Sequence, residues 1–184
     1  MYKLCPHWVT GFSDGESSFS LIISKNSEKR TGWGVQPIFS IELHVRDLLL
    51  LVRIKAFFGV GIIYIRKSGN NAIYCVQSFK DLTNVIIPYF DKYSLLTQKQ
   101  ADFLLLKSAI VLLNAKEQST IEGLYKIINI RVSMNKGLSD VLNKTFTKVI
   151  PVKRPLIKSE IIPDPNWLVG FMDAEGCFYV KISE

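Results

Sequence analysis

The sequence predicts an α+β domain of order αββαββα, with one antiparallel sheet covered on one face by helices, followed by the start of a second copy of the same unit. Three observations carry this. Helical and alternating apolar periods follow one another along the first ninety or so residues. Turn residues separate the alternating stretches into two pairs. A segment near the start of the chain recurs near its end, the mark of a duplicated fold unit.

The first strand pair is Ser18–Lys25 and Val35–His44; the second is Gly59–Lys67 and Ala72–Ser78, joined by a Ser68-Gly69-Asn70-Asn71 turn. Between the pairs, Arg46–Phe58 reads as a helix stopped by Gly59. Phe79–Phe90, Gln98–Asn114 and Thr120–Met134 read as further helices. Thr147–Asn166 carries four prolines and several lysines and reads as an extended linker. The expected organisation is a first unit at 1–145, a linker at 146–166 and the beginning of a truncated second unit at 167–184.

The repeat itself is Trp8-Val9-Thr10-Gly11-Phe12-Ser13-Asp14-Gly15-Glu16-Ser17-Ser18-Phe19 against Trp167-Leu168-Val169-Gly170-Phe171-Met172-Asp173-Ala174-Glu175-Gly176-Cys177-Phe178. Trp, Gly, Phe, Asp, Glu and Phe match position for position. In a helix Gly11 and Gly15 share one face, as do Gly170 and Ala174. Small residues at that spacing let two backbones approach, so the two copies are expected to pack on each other. After each Glu the period changes to alternation, through Phe19, Leu21 and Ile23 and through Phe178, Val180 and Ile182. Glu16 and Glu175 therefore end two adjacent helices, where the macrodipole and their mutual repulsion both oppose ionisation. A divalent cation relieves both effects; hard oxygen ligands in a part-hydrated site suit Mg²⁺, and paired carboxylates holding metal suit in-line phosphoryl displacement.

Composition narrows the classes. Over 184 residues the net charge is +7, which suggests a polyanionic partner such as nucleic acid. Cys5, Cys75 and Cys177 show no C-x-x-C pairing, and His7 and His44 are scattered, which argues against a disulfide framework and a zinc site. The longest apolar stretch, Phe103 to Leu113, is broken by Lys107 and Ser108 and is too short to span a bilayer.

Both repeat segments resemble the LAGLIDADG motif of homing endonucleases, in the form common among intron-encoded proteins of fungal mitochondria. Leu95-Leu96-Thr97-Gln98-Lys99-Gln100 and Met134-Asn135-Lys136-Gly137-Leu138 look like further signatures of that family. The resemblance implies a saddle-shaped sheet that grips double-stranded DNA and metal-dependent phosphodiester hydrolysis. It implies metal-binding, catalytic acids at Glu16 and Glu175, and structural acids at Asp14 and Asp173. Lys99 becomes a candidate catalytic residue by motif position. Mitochondrial residence is also implied, and no leader pattern precedes Trp8, as expected of a protein made inside an organelle. Intron RNA binding as a maturase, or DNA binding without cleavage, are the alternatives. The chain is expected to act as a monomer or as a homodimer through Gly11 and Gly15.

Alternation assigns Ser20, Ile22, Ser24 and Asn26, then Gln36, Ile38, Ser40 and Glu42, then Ile62, Tyr64 and Arg66, then Ile73, Cys75 and Gln77 to the open face of the sheet. Polar members of this set suit base edges, and the isoleucines suit thymine methyls. Lys25, Lys29, Arg30, Arg66 and Lys67 cluster near strand ends, where phosphates would set affinity without sequence. An eight-residue strand at ~3.3 Å per residue spans about eight base pairs, a half-site.

Overall fold

The structure, a computed structural model, describes residues 3–135, 137–158, 161–177 and 179–182. Helix α1 (Pro6–Glu16) leads into β1 (Ser17–Lys25) and β2 (Trp33–His44). A 3₁₀ turn and α2 (Leu48–Phe58) precede β3 (Ile62–Ile65) and β4 (Asn71–Val76). The chain then continues through α3 (Phe79–Asp81), a π-helical stretch (Leu82–Ile86) and α4 (Ile87–Lys92). Four helices complete it: α5 (Lys99–Asn114), α6 (Ile121–Val132), α7 (Asp140–Thr145) and α8 (Pro165–Glu175). The sheet is antiparallel with strand order β1-β2-β4-β3, as the αββαββα reading requires.

Alternation decides which face of the sheet is covered. Phe19, Leu21, Phe39, Ile41 and Tyr74 point to one side and are buried. Phe19, Phe39, Phe58, Phe90 and Phe103 meet there at ring-centroid separations of 5.1 to 5.8 Å, mostly edge to face. This aromatic centre joins the sheet to α2, α4 and α5. Leu106, Leu124, Ile127 and Ile128 extend the core outward to α6.

Several expected boundaries shift. Strand β3 is shorter than Gly59–Lys67: Gly59 ends α2 with φ 71°, and Gly61, at φ 84°, lies so close to β4 that a Cβ there would sit 2.7 Å from the Cys75 carbonyl oxygen. Only beyond Gly61 can the chain turn into the sheet. Helix α7 falls inside the expected first unit but carries too little apolar period to be legible; Phe146, which ends it, packs edge-on against Trp33 and Tyr125. The alternation expected after Glu175 gives no strand at 179–182, where Val180 and Ile182 are exposed. A strand needs a partner for its backbone groups, and none lies beside these residues among those described. Phe178, Lys136 and Ser183-Glu184 lie outside the described residues.

Among the described residues the proline-rich stretch has no regular structure until α8 begins at Pro165, yet it is docked. Val152 N–H donates to Asn129 O at 3.1 Å, and Ile150 N–H donates to Asn129 Oδ1 at 2.9 Å. The guanidinium of Arg154 donates to both oxygens of the buried Asp102, at 2.7 and 2.9 Å, and to the Ser133 and Gln98 carbonyls. These bonds lay the chain across α6 and the N-terminal end of α5 and deliver it to α8.

Candidate active site

Helices α1 and α8 cross where the repeat has its glycines. A Cβ on Gly11 would sit 1.9 Å from the Trp167 carbonyl oxygen, and one on Gly170 would sit 2.0 Å from that of Trp8. One turn on, Gly15 faces Ala174, with room for a single methyl between the helices. Contacts this close exclude every side chain larger than hydrogen at Gly11 and Gly170. The four small residues named from the sequence thus form one interface.

Around it the two copies exchange hydrogen bonds. Trp8 Nε1–H donates to Asp173 Oδ2 at 2.7 Å, and Trp167 Nε1–H donates to Asp14 Oδ2 at 2.9 Å. Each Trp of the repeat holds the other helix's acid. Asp14 is then completed by its own unit: Leu96 N–H at 2.7 Å, and the Thr97 N–H and hydroxyl at 3.2 and 2.7 Å. Asp14 is therefore spent on structure, fastening the segment just before α5 to the end of α1.

That fastening positions Lys99. At the first turn of α5, its Nζ donates to the Gly15 carbonyl at the C-terminal end of α1. Burial pushes its pKa below that of an ordinary lysine, while Asp14, Glu175, Glu16 and Asp102 pull in the opposite direction. Glu16 and Glu175 are the last residues of α1 and α8. Partial burial first, and then repulsion from Glu175, raise the Glu16 carboxyl above its usual value; Lys99 partly offsets the rise. Lys99 Nζ thus meets the end of α1 that carries Glu16, and the Glu175 side chain lies against Gly15 at that same end.

The donor set fits a hard divalent cation. Two carboxylates supply anionic oxygens, and a cation would relieve the burial and repulsion that raise Glu16. Among the described residues no group of three or more His, Cys, Asp or Glu is gathered as a metal cage. Water and substrate oxygens would complete the shell, the arrangement Mg²⁺ tolerates better than an all-protein cage.

On the sheet's open face, Ile22, Ser24, Gln36, Ile62, Tyr64, Arg66 and Gln77 are exposed, and Ser20, Asn26, Ile38, Ser40 and Glu42 are partly so. Ile73 and Cys75 correct the expectation: they have the right parity but are only 4 and 2% exposed. Strand β4 lies between β2 and β3, and the register sets Ile73 between Glu42 and Tyr64 and Cys75 between Ser40 and Ile62. Their neighbours close over them, so they form the floor of the face and offer no surface. Sequence reasoning missed Asp102 and Arg154. No local motif marks their contact, since the partners are far apart in the chain and meet only after folding.

A family model for LAGLIDADG endonucleases matches residues 9–110. The chain belongs to the LAGLIDADG endonuclease family. Among curated proteins, it is 42% identical to the probable intron-encoded endonuclease 3 of Neurospora crassa over 95% of this chain and 33% of that protein. It is 37% identical to the probable intron-encoded endonuclease 2 of the same organism over 98% of this chain and 42% of that protein. Among solved structures, I-SmaMI bound to an uncleaved DNA target with calcium ions superposes with a TM-score of 0.90 at 44% identity, covering 94% of this chain and 58% of that one. The chain therefore spans less than two thirds of the length of these LAGLIDADG relatives.

Proposed function

We propose that the chain is the DNA-gripping and metal-holding part of a site-specific double-stranded DNA endonuclease that hydrolyses phosphodiester bonds, a homing endonuclease encoded in an intron. The observation that carries this is that Glu16 and Glu175 end two helices joined glycine to backbone, with the Glu175 side chain against Gly15, the neighbour of Glu16. A partly buried Glu16 set beside the exposed Glu175 is an arrangement that a shared cation would relieve.

In this reading Glu16 and Glu175 hold the divalent metal, one carboxylate serving each DNA strand. Mg²⁺ bound there would supply Lewis acidity and a nucleophilic water. Lys99 Nζ stands beside both acids with its ammonium form destabilised by burial, so it exchanges a proton with solvent or phosphate oxygen more readily than a surface lysine. Asp14 holds the Leu96-Thr97 segment, and with it the first turn of α5, against α1. The open sheet face, with Ser20, Ile22, Ser24, Asn26, Gln36, Ile38, Ser40, Glu42, Ile62, Tyr64, Arg66 and Gln77, contacts bases in the major groove. The face that a homodimer would use is filled by α8 of the same chain, which favours a monomer. Relatives named for the ND4 intron of Podospora anserina and the Cox1 intron of Schizosaccharomyces pombe support synthesis in an organelle.

Selection of the 184-residue chain on a randomised duplex library with Mg²⁺, sequencing both retained and cut DNA, tests the reading. An enriched motif with cuts inside or beside it is expected. A retained motif that is never cut would reduce the chain to a DNA-binding part, and intron RNA retained in place of duplex would favour the maturase reading.

A further inference from the structure

At the end of the sheet remote from the β1–β2 connection, three polar side chains form one cluster on the open face. Strand β2 brings Glu42, which is paired in register with Ile73 of β4. Asn71, at the start of β4, lies on the same side by alternation. Arg66 follows β3 directly and is fixed by the hairpin turn: its N–H donates to Asn71 O, and its carbonyl accepts from Gly69 N–H, both at 2.8 Å. The Arg66 side chain then crosses β4 diagonally. Its Nε–H donates to Glu42 Oε1 at 2.5 Å and its Nη2 to Oε2 at 2.6 Å. Asn71 Nδ2 donates to the same Oε1 at 2.9 Å.

A guanidinium has five N–H groups arranged on two usable edges. Glu42 occupies the Nε/Nη2 edge. The outer Nη1/Nη2 edge has no hydrogen bond among the described residues, and the side chain is half exposed. An exposed ion pair adds little to folding stability, so the clamp does little for the fold. It does remove the rotamer freedom of a long side chain before any ligand arrives. Below the bridge, buried Ile73 gives a dry floor that strengthens these bonds.

We propose that Arg66 reads one guanine in the major groove through its free Nη1/Nη2 edge, and that Glu42, steadied by Asn71, is the positioning residue that aims it. This rests on the DNA-binding reading above and adds to it a base and a geometry. Charge distinguishes a base contact from a phosphate contact. Glu42 cancels the charge of Arg66 and repels phosphate, so the pair is poorly suited to the backbone. A rigid two-donor edge matches the O6 and N7 acceptors of guanine; adenine presents a donor at one of those positions, and thymine has a single acceptor. Lys67, the next residue, has no ion pair among the described residues and suits the adjacent phosphate.

The library selection is run in parallel with wild type, Arg66→Ala, Arg66→Lys and Glu42→Ala, each checked for folding by circular dichroism. Wild type is expected to enrich a motif with one guanine whose preference Arg66→Ala and Arg66→Lys both lose, by about ten- to a hundredfold. In Glu42→Ala the preference at that same base is expected to fall. Replacing that guanine by 7-deazaguanine, which lacks N7, is expected to weaken wild type and leave Arg66→Ala unchanged. An Arg66→Ala motif identical to the wild-type motif overturns the proposal. So does a uniform loss on all duplexes with a salt slope lower by about one, the sign of a phosphate contact. An unchanged preference in Glu42→Ala overturns the positioning role. A wild-type chain that enriches no motif overturns the DNA reading itself, and the proposal with it.

Discussion

Glu16 is where burial and function oppose each other. Its carboxyl is raised above the ordinary value by partial burial and by Glu175, so the folded chain holds that proton more tightly than the unfolded chain. The stability contributed by this group is therefore present below the unfolded carboxylate value and lost as pH rises through the folded one. Without metal, ionisation of Glu16 works against its surroundings. Glu16→Gln is expected to raise the melting temperature at neutral pH, and the gain should shrink as pH falls through the carboxylate range; a less stable variant at neutral pH contradicts the electrostatics. Gly11 gives a steric counterpart. Its missing Cβ leaves space for the Trp167 carbonyl oxygen alone, so Gly11→Ala must push α8 away. Destabilisation of about 1–3 kcal/mol is expected, with solvent exposure of Trp167 seen as a red-shifted tryptophan emission. Both residues were legible because the repeat shows them twice. The burial of Ile73 and Cys75 was not, because parity assigns a face but not what the neighbouring strands lay over it.

Among the elements, the stretch between α7 and α8 departs furthest from its sequence. Its prolines read correctly as irregular backbone, but composition gives no sign that it is fixed. Arg154 fixes it through a two-pronged pair with Asp102, and Asn135 extends the contact by donating its N–H to Asp102 and its side-chain amide to the Phe19 carbonyl of β1. One buried acid thus ties together α5, which carries Lys99; β1, which follows Glu16; and the segment leading to Glu175. Arg154→Ala leaves Asp102 without its cation and is expected to cost roughly 2 kcal/mol in urea denaturation, given the partial exposure of the arginine. Arg154→Lys should recover only part of that, because an ammonium cannot make the fork. A loss within experimental error for Arg154→Ala would mean that the linker is held by its other hydrogen bonds, without the Asp102 pair. The helices and strands themselves were readable to within a few residues where the apolar period was long. Helix α7 and the late start of β3 escaped because a short helix has little period and a tight approach at Gly61 is a tertiary fact.

Across the whole molecule the two copies of the motif share an interface but not an environment. Val9, Thr10 and Ser13 of α1 are buried by the sheet unit, whereas the matched Leu168, Val169 and Met172 of α8 are 46, 51 and 43% exposed. The same sequence pattern therefore carries different weight in its two places. Val9→Ala is expected to cost about 2 kcal/mol, and Leu168→Ala to stay within about 0.5 kcal/mol of wild type in the same denaturation assay. Equal costs would mean that α8 has a cover comparable to that of α1. What joins the halves is the α1–α8 interface, which was legible in the sequence because small residues recur at fixed spacing; the proposed function adds that Glu16 and Glu175 share a metal there. Cleavage of a duplex recovered from the library, followed with Mg²⁺ for wild type, Glu16→Gln and Glu175→Gln, addresses it most directly. Each single substitution is expected to leave binding intact and to slow cutting at least about a hundredfold, the scale of losing a metal-held charge in the transition state. Cutting that survives either substitution unchanged would show that the two acids do not form a common metal site.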